Sequence, residues 1–161
     1  MPVCKNLQIP LIINDDWQLA LDIGADGVHL GKDDADPAWV RSKLPATMLL
    51  GVSCYSDLAR AQQMLTLDVD YIAFGSMFSS GTKPQAPQAA TDILTRAQAL
   101  TQAQEPRPAV VAIGGITTDN AASLLAAGAD SLAVVGGLFM TDDIEQTARR
   151  FSALWSNTKA H

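Results

Sequence analysis

The chain has 161 residues, 48% of them hydrophobic, enough apolar material for the core of one domain spanning 1–161 and too much for global disorder. Its formal net charge is −6 and it has no basic run, which excludes nucleic acid and anionic membrane as main partners. A phosphorylated small molecule stays open as a partner, because backbone amides, one lysine and a divalent cation hold phosphate locally.

Short apolar runs alternate with helix-like stretches along the whole chain. Strands are expected at Pro10–Asn14, Gly27–Leu30, Leu49–Ser53, Tyr71–Phe74, Ala109–Ile113 and Ser131–Val135. Most are continuously hydrophobic, the pattern of parallel strands buried on both faces. Helices are expected over Asp16–Ile23, over Ser56–Leu67 with a serine cap, over Thr118–Ala127 and over Thr141–Trp155. The last carries Asp142, Asp143 and Glu145 early and Arg149 and Arg150 late, which suits the helix dipole.

Three segments rhyme: Gly24-Ala25-Asp26-Gly27, Leu67-Asp68-Val69-Asp70-Tyr71 and Gly128-Ala129-Asp130-Ser131. Each stands where a helix ends and a strand begins, so they read as structural turns of one repeated βα unit. The opposite strand ends are different. Asn14-Asp15, Gly31 to Asp34, Ser53, Gly75-Ser76, Gly114-Gly115 and Gly136-Gly137 put polar or glycine residues after six successive strands. A doubly wound sheet gathers such residues at one switch point, whereas a (β/α) barrel draws on every strand, so the barrel is the expected fold.

Three features at that rim are candidates for chemistry. Asn14, Asp15, Asp33 and Asp34 end neighbouring strands, and two carboxylates with an amide suit Mg²⁺; ordinary helix capping is the competing role for any one of them. Gly114-Gly115 and Gly136-Gly137 expose backbone N–H groups to a phosphate after the last two strands, or else merely permit tight turns. The long polar connection from Ser79 to Gln88 reads equally as a functional lid or as a passive surface loop, and its Ser80-Gly81-Thr82-Lys83 stretch offers hydroxyls and a cation without being a Walker A loop. Ser53 lacks a nucleophile elbow and has no evident histidine partner, which disfavours a serine hydrolase. His29 reads as a packed or hydrogen-bonded core histidine. Trp17, Trp39 and Trp155 read as helix packing residues. Cys4 and Cys54 are too few for a disulfide framework and read as small buried thiols, and with no stretch shaped like a signal peptide or membrane span the expected compartment is the cytoplasm.

The ordered set of motifs resembles the thiamine-phosphate synthase (thiamine-phosphate pyrophosphorylase) family. It is carried by PLIIND (10–15), GADGVHLG (24–31), GVSCY (51–55), YIAFGSMF (71–78), TK (82–83), VVAIGGI (110–116) and AGADSLAVV (127–135). The resemblance implies a TIM-type (β/α)8 barrel and a transferase that couples hydroxymethylpyrimidine diphosphate with hydroxyethylthiazole phosphate. It implies Asp15 and Asp34 as Mg²⁺ ligands, and Asn14, Ser53 and Lys83 on the pyrimidine substrate. Ser80, Gly81, Thr82, Gly115, Val135 and Gly136 fall on the thiazole-phosphate positions. The chain departs from the family pattern at Ser79-Ser80 (usually Pro-Thr), at Lys32 (glutamine) and at Gly136 (usually serine). It opens within what resembles the family's second helix, so about six βα units of the barrel are expected, with the family's Gln/Arg/Lys cluster absent. Open strand edges then make a homo-oligomer an expectation. Two other roles compete: a non-catalytic phosphate-binding paralogue and a thiazole-phosphate tautomerase.

Overall fold

A computed structural model describes residues 2–79 and 88–158. Helices at Pro2–Asn6 (α1), Trp17–Asp22 (α2), Pro37–Arg41 (α3), Leu58–Met64 (α4), Asp92–Thr101 (α5), Ala121–Ala126 (α6), Gly136–Phe139 (α7) and Ile144–Thr158 (α8) alternate with strands. The strands are Ile12–Asn14 (β1), Gly27–Leu30 (β2), Leu49–Tyr55 (β3), Tyr71–Phe74 (β4), Ala109–Ile113 (β5) and Ser131–Ala133 (β6). All five pairings are parallel and sequential, β1-β2-β3-β4-β5-β6, giving a curled six-stranded sheet of incomplete-barrel form. The expected fold class holds.

Four helices start on an aspartate, whose carboxylate accepts an otherwise orphaned N–H of the first turn. Asp16 accepts from Leu19 at 2.9 Å, Asp36 from Trp39 at 2.8 Å, Asp57 from Ala59 and Arg60, and Asp143 from Gln146. The cap of α4 is thus Asp57 rather than Ser56. Asp57 accepts from two N–H groups at once, and the helix opens at Leu58.

The rhyming segments are one structural device used three times. Gly24, Asp68 and Gly128 each take a left-handed backbone, with φ of 60°, 54° and 109°. The following Ala25, Val69 and Ala129 are buried. The aspartate then brackets the start of the preceding strand: Asp26 Oδ2 accepts from Leu11 N at 2.8 Å, Asp70 Oδ2 from Leu50 N at 2.7 Å, and Asp130 Oδ2 from Val110 N at 2.8 Å. Each aspartate N–H returns a bond to the carbonyl of that same residue. The bracket satisfies backbone groups that the strand ladder leaves unpaired, so these acids are structural.

Alternation along the strands makes the sheet two-sided. Val28, Leu30, Leu50, Val52, Cys54, Ile72, Phe74, Val110 and Ala112 point to the convex face and are fully buried under the helices. Each large side chain among them contributes about 1.5–3 kcal/mol by burial. The concave face carries Asn14, His29, Gly51, Ser53, Tyr71 and Val111. Outside the sheet, Trp17 of α2 meets Trp39 of α3 edge to face at 5.0 Å, consistent with a packing role. Cys54 is buried as expected, but Cys4 on the short α1 is only half-buried, because one five-residue helix cannot cover it.

Candidate functional site

Because every strand is parallel, all six carboxyl ends open on one rim. At the end of β1, Asn14 pairs with His29 in register, and Asp15 follows with a left-handed backbone (φ 67°) whose N–H bonds the His29 carbonyl. At the end of β2, Gly31 N donates to Asp34 Oδ2 at 2.6 Å, turning that carboxylate back toward the strand end. Tyr55, past an irregularity in β3, accepts from Lys32 N at 3.1 Å through its phenol oxygen. Its ring lies 5.8 Å from the Lys32 ammonium, which ties the third strand end to the same corner.

Below this corner the concave face holds a polar chain. His29 Nε2 lies 2.9 Å from Ser53 Oγ, and His29 Nδ1 lies 3.1 Å from the Tyr71 phenol oxygen. The His29 and Tyr71 rings stack at 5.6 Å with 18° between their planes. From the helix side, Arg60 Nε donates to the Ser53 carbonyl at 2.8 Å. Burial pulls the His29 pKa below the ordinary imidazole value and the Asp34 charge pulls it partly back, which favours the neutral ring. Burial pushes Tyr71 up to about 12, helped by Asp70.

The other side of the rim is built from glycines. Gly114 and Gly115 have φ of 97° and 64°, and a Cβ on Gly115 would meet the Phe78 carbonyl oxygen at 2.7 Å. They let the chain after β4 cross close over the end of β5, where Met77 N bonds the Ile113 carbonyl and Phe78 N bonds that of Gly114. After β6, Val135 is 61% exposed and caps α7, a four-residue helix beginning at Gly136. A Cβ on Gly137 would strike the Ile116 carbonyl, so Gly137 holds α7 against the loop after β5. Among the described residues no acceptor takes the N–H groups of Gly115, Gly136 or Gly137. A short helix after the last strand, beside a glycine loop after the one before it, is the phosphate-binding arrangement of (β/α) barrels.

The structure therefore gathers Asn14, Asp15, Ser53 and Asp34 on one side of the rim and Gly115, Val135 and Gly136 on the other. Ser80, Gly81, Thr82 and Lys83 lie outside the described residues. The described residues flanking them are tied together, with Gln88 Nε2 donating to Ser79 Oγ at 2.6 Å and Ala89 N to the Ser76 carbonyl. One expectation is corrected: Ser53 does have a histidine partner, His29, brought to it by strand pairing across 24 residues. This is still no hydrolase triad, since the far nitrogen of the imidazole faces a phenol where a triad has a carboxylate. Tyr71 and Tyr55 escaped the sequence reading; GVSCY and YIAF name them, but nothing local tells their ring positions.

Asn14 and Asp15 at the end of β1 and Asp34 after β2 carry oxygen donors only. Among the described residues no group of three or more His, Cys, Asp or Glu side chains gathers to hold a metal. Two carboxylates and an amide fit Mg²⁺, which keeps several waters and shares its ligands with substrate phosphates, better than a metal that needs a full protein cage.

Comparison with known proteins agrees with this geometry. The family model described as thiamine monophosphate synthase matches residues 1–138. The chain is 54% identical over 156 residues to the thiamine-phosphate synthase of Bordetella bronchiseptica, covering 96% of this chain and 72% of that one. It is 48% identical over 156 residues to that of Methylobacillus flagellatus, with 97% and 72% covered. Among solved structures, the thiamine phosphate pyrophosphorylase from Pyrococcus furiosus superposes with a TM-score of 0.83 at 26% identity, covering 97% of this chain and 72% of that chain. With a matching family model, close relatives and a shared fold in agreement, the chain belongs to the thiamine monophosphate synthase family.

Proposed function

We propose that the chain is the transferase that joins hydroxymethylpyrimidine diphosphate to hydroxyethylthiazole phosphate, giving thiamine phosphate and diphosphate. The observation that carries this reading is the two-sided rim. Carboxylates end β1 and β2, while backbone N–H groups that no acceptor takes among the described residues follow β5 and β6, all at the carboxyl ends of one sheet. Such a rim takes a metal-bound diphosphate on one side and a simple phosphate on the other. The names of the relatives give the product, and the family resemblance of the motifs implies the two reactants.

In this reading Asn14 and Ser53 hold the pyrimidine over the concave face, and Asp15 and Asp34 hold Mg²⁺. When bound, Mg²⁺ supplies positive charge against the diphosphate as it leaves. Lys83 adds a second cation to the same group. Gly115, Val135 and Gly136 offer backbone donors to the thiazole phosphate, and Ser80, Gly81 and Thr82 are assigned to the same group. The bond from the pyrimidine methylene carbon to the diphosphate oxygen breaks, and the thiazole nitrogen forms the new bond to that carbon. No side chain becomes covalently attached; the residues orient two reactants and match the charge of the leaving group. We assign the reaction to the cytoplasm, where phosphorylated reactants are retained; among the described residues no helix is long and apolar enough to cross a membrane.

The test is thiamine phosphate formation by the purified chain with both substrates and Mg²⁺, alongside calorimetric titration with thiazole phosphate. Magnesium-dependent product is expected. Saturable thiazole-phosphate binding with no product would sink the transferase reading in favour of a phosphate-binding paralogue.

A further inference from the structure

We propose that His29 is a positioning residue: held as its Nε2–H tautomer, it turns the Ser53 hydroxyl so that the serine proton points into the rim, as a donor to a ring nitrogen of a heteroaromatic substrate. The identity of that ring rests on the function proposed above; the orientation of the hydroxyl does not.

The geometry begins at Gly51. A Cβ there would fall within the Tyr71 ring, so only glycine lets the ring lie across β3. That placement stacks the phenol against the imidazole and brings its oxygen to 3.1 Å from Nδ1, while Nε2 stays 2.9 Å from Ser53 Oγ. A neutral imidazole carries one proton for these two bonds, so the neighbours decide where it sits. The Tyr71 hydroxyl has no other hydrogen-bond partner among the described residues. If it donates to Nδ1, the ring proton lies on Nε2 and is donated to Ser53 Oγ. Both donors of the His29–Tyr71 pair are then satisfied, and the one hydrogen of the three side chains left over belongs to Ser53, near the carboxyl end of its strand. In the opposite tautomer Ser53 donates inward to Nε2, Nδ1–H points at the phenol oxygen, and the phenol hydrogen is stranded in a half-buried position. An unpaired donor is costlier inside than at a wet rim, which selects the first arrangement. Arg60 fixes the backbone side of the same serine through its carbonyl, leaving the hydroxyl rotor as the freedom that His29 controls.

The test reads the proton directly. Ring-¹⁵N-histidine-labelled chain, without ligand and at neutral pH, is examined by long-range ¹H–¹⁵N correlation, with His161→Gln assigning the second histidine. The expected pattern is an unprotonated Nδ1 and a protonated Nε2. Tyr71→Phe keeps the ring and removes the donor, so His29 should become a tautomer mixture. The Kd for the pyrimidine diphosphate should then rise about tenfold, the scale of one weakened hydrogen bond, with thiazole-phosphate affinity unchanged. His29→Gln, whose amide can donate to Ser53, should bind the pyrimidine more tightly than His29→Leu. A protonated Nδ1 in the unmodified chain would overturn the proposal, as would a Tyr71→Phe protein with its tautomer still locked and its pyrimidine affinity intact. Were the unmodified chain to bind neither substrate, the synthase reading would fall, while the tautomer pattern would still decide the relay.

Discussion

The phenol ring of Tyr71 on β4 occupies the space above Gly51 on β3 that a methyl group would need. Gly51→Ala must therefore displace the ring or spread two central strands. The expected cost is about 1–3 kcal/mol, the usual range for overpacking a filled site. Urea denaturation checks it, and a midpoint equal to that of the unmodified protein would refute the close packing.

The aspartate bracket makes a different forecast. Asp70→Ala leaves the Leu50 N–H without its acceptor, and a buried unpaired amide costs about 1–3 kcal/mol. Asp70 sits at the rim-distal end of β4, so turnover per folded molecule should stay the same. A large fall in kcat with unchanged stability would mean these acids do chemistry after all.

Gly136 and Gly137 are neighbours with opposite tolerances. A Cβ on Gly136 meets only Met140 Sδ at 3.6 Å, an ordinary contact, whereas one on Gly137 runs into the Ile116 carbonyl. Gly136→Ser should fold normally and bind thiazole phosphate several-fold more tightly, because the family's usual hydroxyl is restored; roughly 1 kcal/mol is the scale of one added hydrogen bond. Gly137→Ala should weaken the same binding by pushing α7 off the loop after β5. Titration of both variants compares them.

Asp15→Asn and Asp34→Asn keep size and remove charge. Each should raise the Mg²⁺ concentration for half-maximal turnover by at least about tenfold. Asp34→Asn should do so with little loss of fold, since the amide oxygen can still accept from Gly31 N. Activity assayed across a magnesium series reads both, and an unchanged magnesium requirement would remove these residues from the metal site.

Alkaline pH should unfold the protein through Cys54 and Tyr71. Burial raises the Cys54 thiol from 9.0 to about 12, opposed by Arg60, and raises the Tyr71 phenol from 10.0 to about 12. The unfolded chain therefore loses these protons first, so the folded state binds more protons between pH 9 and 12 and stability falls as pH rises through that window. Cys54→Ala and Tyr71→Phe should each flatten the decline in a denaturation series from pH 8 to 11. At pH 8 a maleimide should label the half-buried Cys4 and leave Cys54 untouched until unfolding.

Much of the architecture was legible because its signals are local. β2, β4 and β5 fall at the expected bounds, since each is an apolar run introduced by an aspartate or a proline. β1 starts at Ile12, two residues late: Pro10 lacks an N–H, and that of Leu11 goes to Asp26. β3 runs on to Tyr55 through an irregularity with a left-handed backbone that no apolar pattern encodes. β6 stops at Ala133 because the chain turns into α7, which opens on two glycines and so has no helix signature of its own. Helices α1, α3 and α5 were not among those expected; α1 and α3 are five residues long, too short to show a periodic stripe, whereas the stripe of Ile93, Leu94, Ala97 and Thr101 on α5 was there to be read. Polar rim clusters were visible because they sit beside their strands. The His29, Ser53 and Tyr71 chain was not, because its members lie 24 and 42 residues apart and meet only through a gap left by a glycine.

The two-faced sheet also divides the freedom of neighbouring positions. Ser53 and Cys54 are adjacent in sequence, yet one faces the concave side beside His29 and the other is sealed beneath helices. Stepping by a single residue along a strand therefore exchanges a place where substitution retunes substrate preference for one where it threatens folding. A scaffold laid out this way can vary alternate sites while its interior stays constant, and variant libraries restricted to the concave positions Asn14, Ser53 and Val111, leaving the packed Gly51–Tyr71 pair intact, should alter ligand preference without loss of thermal stability.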